Sequence, residues 1–392
     1  MTRQPLAARP TKTWASRASK VASFAALATL SLAACGSDPG TAGTPTTAGS
    51  GSASSSANAS GLTCAPGKLS AEGSSAQANA ITEVISSYNS ECGDKATIEY
   101  NPTGSGAGVK SFYNGLVDFA GSDSALKSEA VEGVVETDKA KERCQGNPAW
   151  DLPMVVGPIA FVYSVDGVDK LVLNAEVLSN IFNGTITTWN DPAIAKLNAD
   201  AKLPGDKITV FFRSDESGTT ENATKFLSKA GDGAWKKEPG KAWTGVGEGK
   251  NKSSGVAEAV GSTKNSISYV EWSYAKDNKL STAQLDSGKG PVELSGEAVG
   301  KAVADAKVKG TGNDLSLDLK YSGNAEGAYP ALLVTYEIVC SKGLDADKTA
   351  IVKDFLGYFA SESTQSSLQE LGYAPLPTEL QTKVKAAVTA IQ

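Results

Sequence analysis

Residues 213–220 read Arg-Ser-Asp-Glu-Ser-Gly-Thr-Thr, one cation and two acids running into a stretch of hydroxyls and glycine. Ala223, Phe226 and Leu227 follow with the spacing of a helix face. Three chemistries suit such a loop: a nucleophilic serine, a nucleotide-phosphate cradle, or a cage for a small anion. The nucleophile reading needs a base, and the chain contains no histidine, which removes any Ser-His-Asp triad and the commonest metal ligand. No GxSxG elbow surrounds Ser217. The nucleotide reading needs GxxxxGK[ST] or GxGxxG, whereas Gly104, Gly106 and Gly108 are spaced GxGxG.

Two further turns resemble this one. Glu72-Gly73-Ser74-Ser75-Ala76-Gln77 precedes Ile81, Val84, Ile85 and Tyr88, and Thr103-Gly104-Ser105-Gly106-Ala107-Gly108 precedes Val109, Phe112, Tyr113 and Leu116. Each feeds a helix start, where unpaired N–H groups and the positive end of the helix dipole await an acceptor. Serine or threonine N-capping explains any one of them. Three in one chain, each with glycines that let a ligand approach the backbone, favour anion binding.

The elements that must position these turns alternate short β-rich runs with amphipathic stretches, as in an α/β protein. Strands are expected at Ala96–Tyr100, Val117–Ala120, Val155–Tyr163, Ile208–Phe212, Ser266–Val270 and Ala331–Val339. Helices are expected at Gln77–Ser90, Val109–Asn114, Asn174–Phe182, Thr219–Lys229 and Val256–Val260, then at Asp347–Ser361, Thr364–Leu371 and Thr378–Ile391. Gly310–Gly323 is read as a link back between domains. The stretch from Leu62 to Gln392, about 330 residues, exceeds what one core usually holds.

The first sixty residues have a different character. Residues 1–20 carry five basic side chains and no acid, and Val21–Leu32 is an apolar run too short to span a bilayer permanently. This is a secretory signal, and Leu32-Ala33-Ala34-Cys35 resembles a lipobox, making Cys35 the expected lipidation site at the end of a signal peptide of residues 1–34. Residues 35–61 then form a lipid-anchored flexible linker: residues 36–61 are almost entirely Gly, Ser, Thr, Ala and Pro, with a span of roughly 25–30 Å. The domain is thus expected on the outer face of the membrane. Cys64, Cys92, Cys144 and Cys340 suggest two disulfides. Three pairings are open, and we favour Cys64 with Cys92 and Cys144 with Cys340. No CxxC or Cys–His spacing supports a metal site, and no cofactor is expected. Removing residues 1–34, which carry +5, takes the formal charge from −6 to −11. Such an acidic surface argues against nucleic acid, but leaves room for a small anion inside a pocket.

From about Leu69 to Pro377 the chain resembles the substrate-binding lipoprotein of the high-affinity bacterial phosphate ABC transporter, especially its actinobacterial members. Four segments carry the match: GSSAQ at 73–77, TGSGAGVKSF at 103–112, VDFAGSD at 117–123 and RSDESGTT at 213–220. The strings LPMVVGPIAFVYS, IFNGTITTWND, ISYVEWSYA and GYAPLP support it. The resemblance implies a type II periplasmic-binding-protein fold, two α/β lobes with a hinge crossed twice, lobe 1 at 62–156 and 320–392 and lobe 2 at 157–319. It implies a monomer serving membrane permease subunits. It also implies phosphate contacts from the Ser75 hydroxyl, the Ala76 N–H, Ser105, Asp123, Arg213, Ser217, Gly218 and Thr219, with Asp215 bracing Arg213. Ala76 stands where many members have phenylalanine and Ser75 where some have threonine. The first contact is to backbone and the second keeps its hydroxyl.

The residues themselves agree with that implication. A tetrahedral oxyanion wants hydroxyl and N–H donors from several sides and one forked cation. Asp123 is the exception, since a carboxylate repels an anion unless the ligand brings a proton. Phosphate has one near neutral pH and sulfate does not. The rival readings are a secreted phosphatase using Ser217, a binder of sulfate, molybdate or tungstate, and an adhesive surface lipoprotein.

Overall fold

The computed structural model describes residues 62–131 and 133–392. The signal peptide, the linker and the lipidation site expected at Cys35 lie outside the described residues.

The expected α/β architecture is present, organised by one nine-stranded mixed sheet. At one side strands Ala96–Asn101, Gly67–Gly73 and Phe119–Ser122 run parallel in that order. At the other side Ser266–Glu271, Thr209–Arg213 and Glu248–Lys250 form a second parallel set. Between them lie the antiparallel strands Leu332–Cys340 and Ala149–Ser164. The second of these is shared. Residues 149–158 pair with Leu332–Cys340, while residues 159–164 pair with Ser266–Glu271. Both strands are buried along nearly their whole length, which explains why LPMVVGPIAFVYS and the run after Ala331 read as continuous apolar stretches without alternation.

Observed boundaries depart from the expected ones by a few residues. Strand Gly67–Gly73 was not expected. Its inward positions are Leu69, Ala71 and Gly73, and two of these are too small to register as a hydrophobic alternation. Helix Glu136–Arg143 was also not expected; it buries Ala140 and is otherwise charged and polar. Helix Ala78–Cys92 buries Ala80, Ile81, Val84, Tyr88 and Cys92, one stripe at helical spacing. The segment Gly310–Gly323 includes the second strand of a small hairpin, Lys307–Val308 with Leu317–Asp318.

The two disulfides tie loose ends to the first half of the sheet. Cys64 bonds Cys92 across 28 residues and Cys144 bonds Cys340 across 196. The chain entry is pinned again by Asp354, which accepts from Thr63 N and Ala65 N. The chain end is held where Gln392 N donates to Ser341 O. In the loop-entropy account the shorter loop is worth about 3–4 kcal/mol and the longer about 5 kcal/mol. We therefore expect Cys144→Ala/Cys340→Ala to lower Tm in calorimetry by more than Cys64→Ala/Cys92→Ala.

Candidate functional site

Each parallel strand of the sheet delivers a polar side chain at or just beyond its carboxyl end. Gly67–Gly73 leads to Ser74 and Ser75, Ala96–Asn101 to Ser105, and Phe119–Ser122 to Asp123. Thr209–Arg213 ends on Arg213 itself, Glu248–Lys250 leads to Ser253, and Ser266–Glu271 ends on Glu271. Carboxyl ends of parallel strands are where α/β sheets place ligands.

These groups close a ring, all of them buried. Asp123 Oδ1 accepts from Ser74 Oγ at 2.5 Å and Thr335 Oγ1 at 2.7 Å, and its Oδ2 accepts from Ser105 Oγ at 3.0 Å. Gly218 sits directly against this carboxylate, for a Cβ there would lie 2.5 Å from Asp123 Cβ and 2.6 Å from Ser105 Oγ. Next in the chain, Thr219 Oγ1 accepts from Arg213 Nη1 at 3.3 Å. The same Nη1 donates to Ser253 Oγ at 2.9 Å, and Ser253 Oγ lies 3.0 Å from Ser75 Oγ. Ser75 adjoins Ser74, which returns the ring to Asp123.

Arg213 is oriented by Asp215, whose two oxygens accept from Nε (2.8 Å) and from Nη2. This is the forked pairing that guanidinium geometry favours. Lys252 N donates to Asp215 Oδ1 at 3.0 Å, from a left-handed backbone with φ of +64°. That conformation costs a non-glycine residue free energy, and it swings Ser253 onto Arg213.

Local sequence explains the donors. Ser217 caps helix Gly218–Ala230, its Oγ accepting from Thr220 N at 3.1 Å, while Glu221 N reaches Ser217 O. Gly218 and Thr219 are left with N–H groups that have no intrahelical acceptor. The Thr219 hydroxyl proton is committed to Glu271 Oε1 at 2.5 Å, so what Thr219 offers an anion is its backbone N–H. The Ala76 N–H, expected to face a ligand, donates to Ser74 Oγ at 3.0 Å.

Of the expected residues, Ser75, Ser105, Asp123, Arg213, Gly218 and Thr219 are brought together, with Ser217 as the cap beside them and Asp215 behind Arg213. Ser74, Thr335, Glu271 and Ser253 were missed. Ser253 had a signal, because Asn251-Lys252-Ser253-Ser254-Gly255 before Val256 is a fourth Ser/Gly turn entering a helix. Thr335 had none, since it reaches Asp123 across 212 residues.

Burial is the main electrostatic force here. It pushes the Asp123 carboxyl up to about 6, against the hydroxyls of Ser74, Thr335 and Ser105, with Glu271 adding to the rise. Burial works to lower Arg213, but Asp215 and then Glu271 more than offset it. Burial likewise works to raise Asp215, and Arg213 holds it below the ordinary carboxylate range. Behind the ring, Glu337 faces Gly121 in the neighbouring strand and is fully buried. Burial, with Asp123 nearby, pushes its carboxyl up to about 8.

A carboxyl raised from 4.5 to about 8 on folding stabilises the fold only while protonated. Its contribution is complete below the unfolded pKa and is lost as pH climbs through about 8. Glu337→Gln, which keeps the shape without the charge, should therefore flatten the fall in stability between pH 5 and pH 8. Urea unfolding of both proteins at the two pH values checks this; parallel falls would exclude Glu337 as the source.

Comparison with known proteins places this geometry. A model of the PBP superfamily domain matches residues 40–363. The chain is 44% identical to Phosphate-binding protein PstS3 of Mycobacterium bovis over 328 residues, 82% of this chain and 86% of the relative. It is also 44% identical to Phosphate-binding protein PstS 2 of Mycobacterium tuberculosis, over 83% of this chain and 87% of that one. With Phosphate-binding protein PstS of Xylella fastidiosa it shares 32% identity over 81% and 84% of the two chains. Among solved structures it is similar to a high-affinity periplasmic phosphate-binding protein (PfluDING) bound with phosphate, with a TM-score of 0.66 and 21% identity over 82% and 93% of the chains. The phosphate-binding protein of Stenotrophomonas maltophilia matches with a TM-score of 0.63 and 19% identity over 82% and 93%. The last two likenesses concern the fold, which they support as a two-lobed periplasmic-binding architecture.

Proposed function

We propose that this chain, which belongs to the PstS phosphate-binding proteins of the PBP superfamily, captures inorganic phosphate and delivers it to an ABC transporter for import. It acts as an extracytoplasmic solute-binding lipoprotein, not as an enzyme. The lobes are 62–156 with 320–392, and 157–319. Phosphate sits between them, held by Ser75, Ser105, Asp123, Arg213, Ser217, Gly218 and Thr219, to which we add Ser253, while the Ala76 N–H is engaged by Ser74 Oγ. Anchored through Cys35, the monomer works beside the membrane and hands its ligand to permease subunits.

The observation that carries this reading is Asp123, a buried carboxylate set among donors suited to an oxyanion. A carboxylate acceptor there favours a ligand that brings its own proton, as phosphate does. Sulfate brings none, and an acceptor buried against an acceptor costs on the order of a few kcal/mol. Arg213 supplies the one cation turned into the ring. Ligand bridging both halves stabilises the closed arrangement, because only that arrangement makes every contact.

Calorimetric titration tests the proposal. Phosphate should bind tightly, sulfate negligibly, and phosphate esters should not be turned over. Comparable sulfate affinity would refute the role given to Asp123. The preference should narrow in Asp123→Asn, and also in the native protein below about pH 6, where Asp123 takes up a proton and can itself donate to sulfate.

Gly218→Ala isolates closure. The added methyl would meet Asp123 and Ser105 at 2.5–2.6 Å, and overpacking of about 1–3 kcal/mol should weaken phosphate binding ten- to a hundredfold. Circular dichroism should show the fold unchanged. Native affinity in this variant would mean that ligand binding does not need the close approach.

A further inference from the structure

Beyond the ring, and sharing Asp123 with it, lies a cleft of 810 Å³. That is far more room than one tetrahedral oxyanion needs. Three separate segments wall it: the stretch after strand Phe119–Ser122, one face of helix Gly218–Ala230, and residues 305–322 with their hairpin. Each contributes lysine. Lys127 comes from the first, Lys225 and Lys229 from the second, and Lys307, Lys309 and Lys320 from the third.

Against these six stand four acids besides Asp123, namely Glu129, Glu221, Asp305 and Asp318. With Asp123 counted, six lysines face five acids, so the cleft is locally one charge positive inside a chain whose formal net charge is −6. Glu221 neutralises only part of it, gripped at 2.5 Å by Lys127 and 2.7 Å by Lys225. Lys320 pairs with Asp305 at 3.4 Å. Among the described residues the side-chain ammonium groups of Lys229, Lys307 and Lys309 form no hydrogen bond or salt bridge, although Lys309 feels Asp151 and Asp314 at longer range. Ser124 lines the cleft, is 4% exposed, and has a hydroxyl with no partner.

The lining also restricts what could bind. Its aromatic rings are Tyr321 and Tyr336, both buried. The Tyr321 hydroxyl is committed to Asn222 and that of Tyr336 accepts from Leu317 N at 3.0 Å. A nucleobase would find no exposed ring to stack on. Lysines act as flexible point charges for phosphate groups, and their arrangement on opposing walls suits charges repeated along a chain. We infer that this lysine-walled cleft is a second anion site, separate from the ring, that takes a short linear oligophosphate.

The test uses the full protein saturated with orthophosphate, titrated with tripolyphosphate in a calorimeter. Binding without release of orthophosphate is expected, and it should weaken with added salt. Lys229→Glu and Lys307→Glu should each weaken tripolyphosphate binding by about tenfold or more while leaving orthophosphate affinity unchanged. Lys264→Glu, an exposed charge paired with Asp166, should change neither. The inference fails if tripolyphosphate does not bind, if it binds only by displacing orthophosphate, or if Lys264→Glu weakens it as much as the cleft variants do. Because orthophosphate is titrated separately, failure of the cleft is distinguishable from failure of the ring.

Discussion

How closely helix Gly218–Ala230 can approach Asp123 governs the rest of the site. No side chain intervenes at Gly218, so the helix start and the carboxylate touch. The same device recurs on the facing side. A Cβ on Gly104 would strike Asp215, and one on Gly106 would strike Glu216. Three glycines thus let the two halves of the sheet meet through bare backbone. Gly106 N uses the opportunity to donate to Glu216 O at 3.0 Å. The glycines are needed chiefly for the space they leave, which is why a loop resembling a nucleotide cradle serves a different purpose here.

An acidic protein can hold an anion because the field at the ring is set locally. Arg213 is the one guanidinium in it, and Asp215 fixes its direction. The unpaired N–H groups of Gly218 and Thr219 add partial positive charge where the dipole of a helix ends. Asp123 and Glu271 work against this, and in the proposed function it is they that favour a ligand bringing its own proton. Burial raises the leverage of every one of these charges, since little water remains to screen them.

Much of this could be read from the chain alone, for identifiable reasons. The Gly/Ser/Thr turns at 73–77, 103–108 and 213–220 carry their chemistry in consecutive residues, so composition reveals them. Asp123 follows an apolar strand directly and was legible in the same way. Strand Gly67–Gly73 was not, because Ala71 and Gly73 bury too little surface to mark a face. Ser253 needed the recognition that a lysine can take a left-handed turn usually left to glycine. Thr335 and Glu271 act only through the register of distant strands, and nothing local distinguishes Thr335 from any other buried threonine in a strand. The residues proposed to touch a ligand are thus short-range features of sequence, while those that hold them in place are products of topology.

The chain enters the described domain at Leu62 on the half that carries the Cys64–Cys92 bond and the Asp354 clasp, and Gln392 ends on that same half. Tension applied at the entry would load helix Ala78–Cys92 first through the disulfide and helix Ala346–Phe359 through Asp354. Helix Gly218–Ala230 follows a strand of the other half, so a pull at the chain's entry is taken up first on the side of the sheet that does not carry it.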